Sequence, residues 1–366
     1  MCGICLNFDS ATKTEAADKV PQLQKIEHNL TEAELYTGHA FLKKYPTIDI
    51  HAHPGRFFMV GPHAGSALDK HYTPPFPDQA ISDMAMGGIS AVMFATVADH
   101  ALLGISKTGM GAQRSFNPGE ALEDHNRQIS VLQSLVQNSK LQHATNKHDI
   151  KLGHSNGAVS CIFSVEGGDF IEDQLDRITE AHCNGVRSIT IIHYNINQIG
   201  DTQTETPFHN GLTKLGQNII REMDRVGILV DLAHASFEAS IAAAEVSSKP
   251  MMISHSNIAQ SNDTHPRLIS LEHAKLVTET GGIIGAVPAG FGQKNFTDYI
   301  DTIIRMSDLL GTDHVVIGTD MDFTYKPVFT SYHDWALIPA ALLARGMHEH
   351  EVADIMGRNF LRILPD

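Results

Sequence analysis

The stretch Thr47-Ile48-Asp49-Ile50-His51-Ala52-His53-Pro54 decides how the rest of the chain is read. Its first half alternates as a strand does, and side chains two apart on a strand point to the same face. His51 and His53 are therefore expected side by side, with Ile48 and Ile50 on the opposite, packed side. Pro54 cannot donate to a ladder, so the strand is expected to stop there. A histidine pair at the C-terminal mouth of a strand is how a barrel enzyme would begin to hold a metal. The competing reading is two ordinary polar residues at a strand end.

Working outward, apolar β-branched runs recur with amphipathic stretches between them. Residues 88–98, 158–165, 186–192, 228–232, 250–253, 282–287 and 315–318 read as strands. Residues 31–45, 117–135, 171–181, 215–226, 237–246, 270–280, 296–310, 337–345 and 352–360 read as helices. Residues 54–79 and the Gly-rich stretch after the second strand read as loops. Short buried strands alternating with helices predict a parallel sheet with helical crossovers. Counted from Ile48 there are eight strands, which predicts a (β/α)8 TIM barrel over residues 46–366, preceded by an extension and lead-in helix at 1–45. An open doubly wound sheet is the alternative. Against it, no G-x-G-x-x-G follows the first strand and no Walker A motif occurs.

Composition narrows the function classes. The chain has 366 residues, 42% of them hydrophobic, and carries a formal charge of −15. So acidic a chain is not expected to bind nucleic acid, which needs a basic surface. No apolar run reaches membrane-spanning length and the start lacks a signal-peptide pattern, so a cytoplasmic protein with no membrane partner is expected. Cys2 and Cys5 form a C-x-x-C with no second pair at zinc-finger spacing and read as part of an unstructured end. Four scattered cysteines make no disulfide framework. The 22 histidines tilt the balance toward metal chemistry.

The residues just past each strand test the barrel. The first strand ends in His51 and His53, the third in Glu166, the fourth in His193, the fifth in His234, the sixth in His255 and the eighth in Asp320. The second and seventh end in nothing ionisable, although Asp99 and His100 follow the second closely. Taken singly, each has a bland explanation: a hydrogen-bonded loop histidine, a helix N-terminal charge at Glu166, turn residues at Asp320 and Asp322. Six of eight strand ends bearing metal-ligand types at one barrel mouth outweigh those explanations.

Imidazoles and carboxylates without cysteine suit zinc or a similar divalent ion held for catalysis. Four histidines and a glutamate are too many for one open catalytic zinc, so two ions sharing Glu166 fit better, with a hydroxide bridging them. Asp320 is then expected to take the proton from that hydroxide and deliver it to the leaving group. The reaction class is metal-assisted hydrolysis.

The blocks Val165-Glu166-Gly167-Gly168, Gly185-Val186-Arg187, Leu229-Val230-Asp231-Leu232-Ala233-His234, Ile253-Ser254-His255-Ser256-Asn257, His265-Pro266-Arg267 and Gly318-Thr319-Asp320-Met321-Asp322 resemble the membrane (renal-type) dipeptidases, peptidase family M19 of the amidohydrolase superfamily. Gly357-Arg358-Asn359-Phe360 is similar as well. The resemblance covers residue 46 to the end. It implies a binuclear zinc barrel in which Glu166 bridges, His51 and His53 hold one ion, and His234 and His255 hold the other. It further implies that His193 holds the scissile carbonyl oxygen or its oxyanion, and that Arg267 pairs with the carboxylate of a dipeptide. Family members cleave dipeptides, often with a C-terminal D-residue, and a homodimer is a further family expectation. The chain departs from the pattern at position 53, where His51-Ala52-His53 replaces His-x-Asp. It departs also at His182, where tyrosine is usual, and in a loop from His255 to Arg267 one residue longer than is usual. Other superfamily branches open their barrel with H-x-H. An amidohydrolase acting on another amide, an N-acyl amino acid or a lactone is therefore the alternative.

Overall fold

Parallel strands covered on both faces need apolar residues without alternation, and the chain supplies them. A computed structural model describes residues 25–61, 65–106 and 109–365; the Cys2–Cys5 pair lies outside them. Eight parallel strands form the main sheet: β1 (Ile48–Ala52), β2 (Ala91–Val97), β3 (Ser160–Glu166), β4 (Val186–Thr190), β5 (Leu229–Asp231), β6 (Met252–Ser256), β7 (Ile283–Ala286) and β8 (Val315–Ile317). They pair in sequence order from β1 to β8. A two-residue strand, Gln142–His143, adds to the start of β3. The sheet closes through a parallel bridge between Ala52 and Met321. The (β/α)8 TIM barrel is the observed fold.

That closure runs through the stretch quoted first. His53 N–H donates to the Met321 carbonyl at 3.0 Å, and Asp320 N–H donates to the His51 carbonyl at 2.8 Å. Buried Asp49 clamps the same seam, accepting from Thr319 N–H, His51 N–H, the Thr319 hydroxyl and the Tyr332 hydroxyl. Burial pushes its carboxyl up to about 6, against those hydrogen bonds. The strand-end histidines are thus set by backbone bonds that also shut the barrel.

Ile48 and Ile50 differ from expectation. They join Ala91, Met93, Ile162, Leu229, Met252, Ile283 and Val316 in one buried cluster. Only the barrel interior brings so many strands together. The β1 register shifts between Asp49 and Ala52, so strict alternation does not carry from the isoleucines to His53.

Two helices and a hairpin were not legible. Pro77–Gly87 starts with proline in its first turn, where the missing N–H is harmless. It ends at Gly88 with φ 78°. Lys147–Asn156 buries only Ile150 and Gly153 and so carries little periodicity; Asn146 caps it by accepting from His148 and Asp149 N–H. The Gly-rich stretch after β2 forms an antiparallel pair, Leu103–Ser106 with Gly109–Ala112. The predicted last helix is interrupted between Glu349–Ala353 and Asn359–Ile363 by a π-helical turn, Asp354–Arg358, in which Gly357 lies against the Pro46 carbonyl, 2.6 Å from where a Cβ would sit. The lead-in helix, Glu32–Lys44, has a Thr31–Glu34 capping box. It packs on the helix Leu337–Ala344, with Gly38 against Ala340.

Candidate metal centre

Glu166, the last residue of β3, is the hub. Its Oε1 lies 3.4 Å from His51 Nε2, 3.1 Å from His234 Nε2 and 3.4 Å from His255 Nε2. Its Oε2 lies 3.3 Å from His53 Nε2 and 3.4 Å from His193 Nε2. All six side chains are buried. Two groupings bring three donor atoms within 4.8 Å of one another: His51, His53 and Glu166, and Glu166, His193 and His234. The structure therefore gathers every histidine named from the strand ends. It sets His193 beside His234, while His255 Nε2 lies 3.0 Å from His234 Nε2.

The donor set fits a cation. His51 Nε2, His53 Nε2 and Glu166 Oε2 are buried without a hydrogen-bond partner, which is costly for polar atoms unless something else satisfies them. The outer nitrogens fix the tautomers. His53 Nδ1–H donates to the Ala95 carbonyl at 2.8 Å. The Ser254 hydroxyl donates to Asp231 Oδ2 at 2.6 Å, so it accepts from His255 Nδ1–H at 2.9 Å. Both rings, with Nδ1–H committed outward, leave Nε2 facing the cluster, the nitrogen a metal ligand would use.

Electrostatics follow the same geometry. Burial raises the Glu166 carboxyl, but the surrounding imidazoles, His193 and His51 foremost, outweigh it and hold the group well below the usual carboxylate range. Burial pushes His234 and His255 well down. Burial lowers His53 too, yet Asp320 and Glu166 outweigh it and raise the ring to about 10. His53 Nε2 sits 3.3 Å from Asp320 Oδ1. The extra histidine at position 53 is thus compensated by two carboxylates. Burial also lowers His193, but Asp99 and Glu166 hold it above its ordinary value.

Asp99 is the residue under-read from the sequence. Just past β2 and fully buried, it accepts from His193 Nδ1–H at 2.6 Å, Tyr194 N–H at 3.1 Å and Asn195 N–H at 3.0 Å. Its position after the second strand was the available signal. Asp231 does the same for β4, β5 and β6, accepting from Thr190 Oγ1, Ser254 Oγ and the Ala233 and Ser254 amides. Gln203 carried no signal at all. Its N–H and the Thr202 hydroxyl donate to the His234 carbonyl at 2.7 and 3.0 Å. These bonds hold His234 at φ 65°, a conformation that non-glycine residues rarely adopt. Asp320 has φ 53° and is held by its bond to His51.

A cavity of about 780 Å³ opens over this cluster, with Glu166, His193, His234, His255, Asp320 and Arg267 among its lining. The size suits a small ligand enclosed on most sides. Arg267 is buried, donating to Gln203 Oε1 at 2.7 Å and to the His255 carbonyl at 3.3 Å. Asp322 does not line the cavity; its Oδ2 accepts from Gly55 N–H at 2.7 Å, tying the loop after β8 to the loop after β1 rather than capping a local turn. His182 sits in the last turn of the helix Asp176–Cys183, away from the cavity lining.

The family model for membrane dipeptidase (peptidase family M19) matches residues 39–366. Dipeptidase verJ of Clonostachys rogersoniana is 27% identical over 254 residues, which is 67% of this chain and 65% of that protein. An amidohydrolase from Pseudomonas aeruginosa shares the fold with a TM-score of 0.72 at 22% identity, over 89% of this chain and 98% of that one. A metallo peptidase from Rhodobacter sphaeroides, liganded with a phosphinate mimic of the dipeptide L-Ala-D-Ala, gives 0.72 at 19% identity over 87% and 98%. No described helix is long and apolar enough to cross a membrane. With a match that runs from the lead-in helix through all eight strands to the C-terminus, the chain belongs to the membrane dipeptidase family, peptidase family M19.

Proposed function

We propose that this protein is a metal-dependent dipeptidase, holding two zinc ions through Glu166, His51, His53, His234 and His255 and cleaving the peptide bond of small dipeptides, C-terminal D-residues included. One observation carries the reading. Five inward imidazoles surround a single buried carboxylate at the floor of a cavity that also presents Arg267 and Asp320. Family membership and the relatives' names support it. When bound, the metal pair supplies Lewis-acid chemistry, polarising the scissile carbonyl and making water acidic enough to attack near neutral pH.

The chain's own residues do the rest. The Arg267 guanidinium, kept in place by Gln203, receives the substrate carboxylate. His193, with Nδ1–H committed to Asp99, offers Nε2 to the carbonyl oxygen as charge develops there. Asp320 takes a proton at Oδ1 or Oδ2 and delivers it to the departing amine. Asp99 orients His193 and does not itself reach the cavity lining.

Elemental analysis of the purified protein, paired with a dipeptide library, tests the reading. Two zinc ions per chain and turnover of L-Xaa-L-Xaa or L-Xaa-D-Xaa pairs are expected; failure to hydrolyse any of them with the zinc-loaded protein refutes the activity. His53 motivates the second reading, an amidohydrolase for another amide, an N-acyl amino acid or a lactone. Arg267→Ala separates the two: a large rise in KM for carboxylate-bearing dipeptides favours the first, no change the second.

A further inference from the structure

The cavity has a wall that neither the metal cluster nor Arg267 accounts for. His265, from the loop after β6, stacks on Phe291, from the loop after β7, with ring centroids 4.2 Å apart and 26° between planes. Phe291 lies nearly parallel to Tyr325, from the loop after β8, at 6.0 Å and 4°. All three line the same cavity as Arg267, and all three are only partly buried, so part of each ring is left for a ligand. Rings that merely filled the core would be covered.

The wall is fixed from behind. Gly290 N–H donates to the Tyr325 carbonyl at 2.8 Å, and Val328 N–H to the Pro288 carbonyl at 2.9 Å, tying the last two loops together. They approach so closely that a Cβ on Gly290 would lie 2.8 Å from the Lys326 Cβ. The Lys326 ammonium lies 5.3 Å from the Tyr325 ring centroid. The wall is also tied to the carboxylate anchor, because Arg267 N–H donates to His265 Nδ1 at 3.2 Å. Burial, then the Arg267 charge, pushes His265 down to about 4, which leaves a neutral ring at pH 7.

We propose that His265, Phe291 and Tyr325 form an aromatic subsite for a dipeptide's C-terminal side chain, so that the chain selects substrates whose carboxylate-bearing residue carries an aromatic ring. This rests on the dipeptidase reading above. An aromatic side chain beside a carboxylate held by Arg267 falls next to His265, and ring contact with the exposed parts of this fixed cluster favours a planar ring over an aliphatic chain of similar bulk. Aliphatic Leu68, Ile105 and Met110 and the aromatic Tyr72, Tyr194 and Phe323 also line the cavity, so the test turns on Phe291 and Tyr325 themselves.

The test compares kcat/KM of the zinc-loaded protein for Ala-Phe, Ala-cyclohexylalanine and Ala-Ala, with Phe291→Ala, Tyr325→Ala and the conservative Tyr325→Phe. Calorimetric binding of free phenylalanine against alanine accompanies it. The wild type is expected to favour Ala-Phe over Ala-Ala by about tenfold or more, the order set by a ring stack plus its buried area, and to favour Ala-Phe over the saturated ring. Each alanine variant should cut the Ala-Phe to Ala-Ala ratio about fivefold or more, and Tyr325→Phe should keep it. Equal rates in the wild type, or a ratio unchanged in both alanine variants, overturns the subsite. If no dipeptide is cleaved, the dipeptidase reading fails and calorimetry decides the subsite. Phenylalanine binding about tenfold tighter than alanine, lost in Phe291→Ala, supports it; equal binding overturns it.

Discussion

Gln203→Glu should convert the substrate anchor into an internal ion pair. Gln203 Oε1 accepts from Arg267 Nη1 at 2.7 Å, and Arg267 is buried, 5% exposed. Glutamate keeps the acceptor and its reach but adds a full negative charge. Two unit charges about 4 Å apart interact by roughly 4 kcal/mol at an effective dielectric of 20, part of which is offset by desolvating the new carboxylate. A substrate carboxylate then competes for a cation already neutralised and loses most of a charge-assisted hydrogen-bond pair, about 1.5–3 kcal/mol. In steady-state assays that is a KM roughly 10- to 150-fold higher for dipeptides. The kcat should change little, since the lost contact serves ground and transition states alike. Dipeptide amides, which carry no carboxylate, should show no such rise. An equal change for dipeptides and their amides, or an unchanged KM for both, would refute the anchoring role assigned to Arg267 and Gln203.

Asp320→Asn removes the proton carrier but leaves the ligand cluster; kcat should fall about 10²- to 10⁴-fold with two metals still found by elemental analysis. Gly318→Ala and Gly285→Ala each aim a methyl at the Ser254 carbonyl, 1.8 Å from the new Cβ. A loss of about 1–3 kcal/mol in urea unfolding is expected, together with weaker metal retention, because Ser254 orients His255. His125 stacks on Phe170 at 3.9 Å, and burial depresses its ring to about 3. Between that value and the unfolded value near 6.5 the unfolded chain binds the extra proton, so stability is present above pH 6.5 and is lost as pH falls toward 3. His125→Phe, which keeps the stack, should flatten that slope by up to about 1.4 kcal/mol per pH unit in denaturation curves run from pH 7 to 4.

From the sequence alone one can read the repeat of β-branched runs and amphipathic stretches, the count of eight strands, and the residue types at the strand mouths. Strand identity is a local property: apolar side chains covered on both faces write themselves as continuous runs. A ligand placed just past a strand inherits that legibility, which is why His51, Glu166, His193, His234, His255 and Asp320 were nameable from their positions. Helices that bury only a residue or two, such as Lys147–Asn156, carry no such imprint. Tertiary structure alone decided what depends on contacts between distant loops. Asp99 gained its meaning when β4 brought His193 within 2.6 Å. Gln203 became the keeper of Arg267 because two loops 64 residues apart meet over His234. At Thr47–Pro54 both kinds of information meet. The histidine pair is written in the sequence, but its aim is set by the bonds to Met321 and Asp320 that close the barrel, some 270 residues farther along the chain.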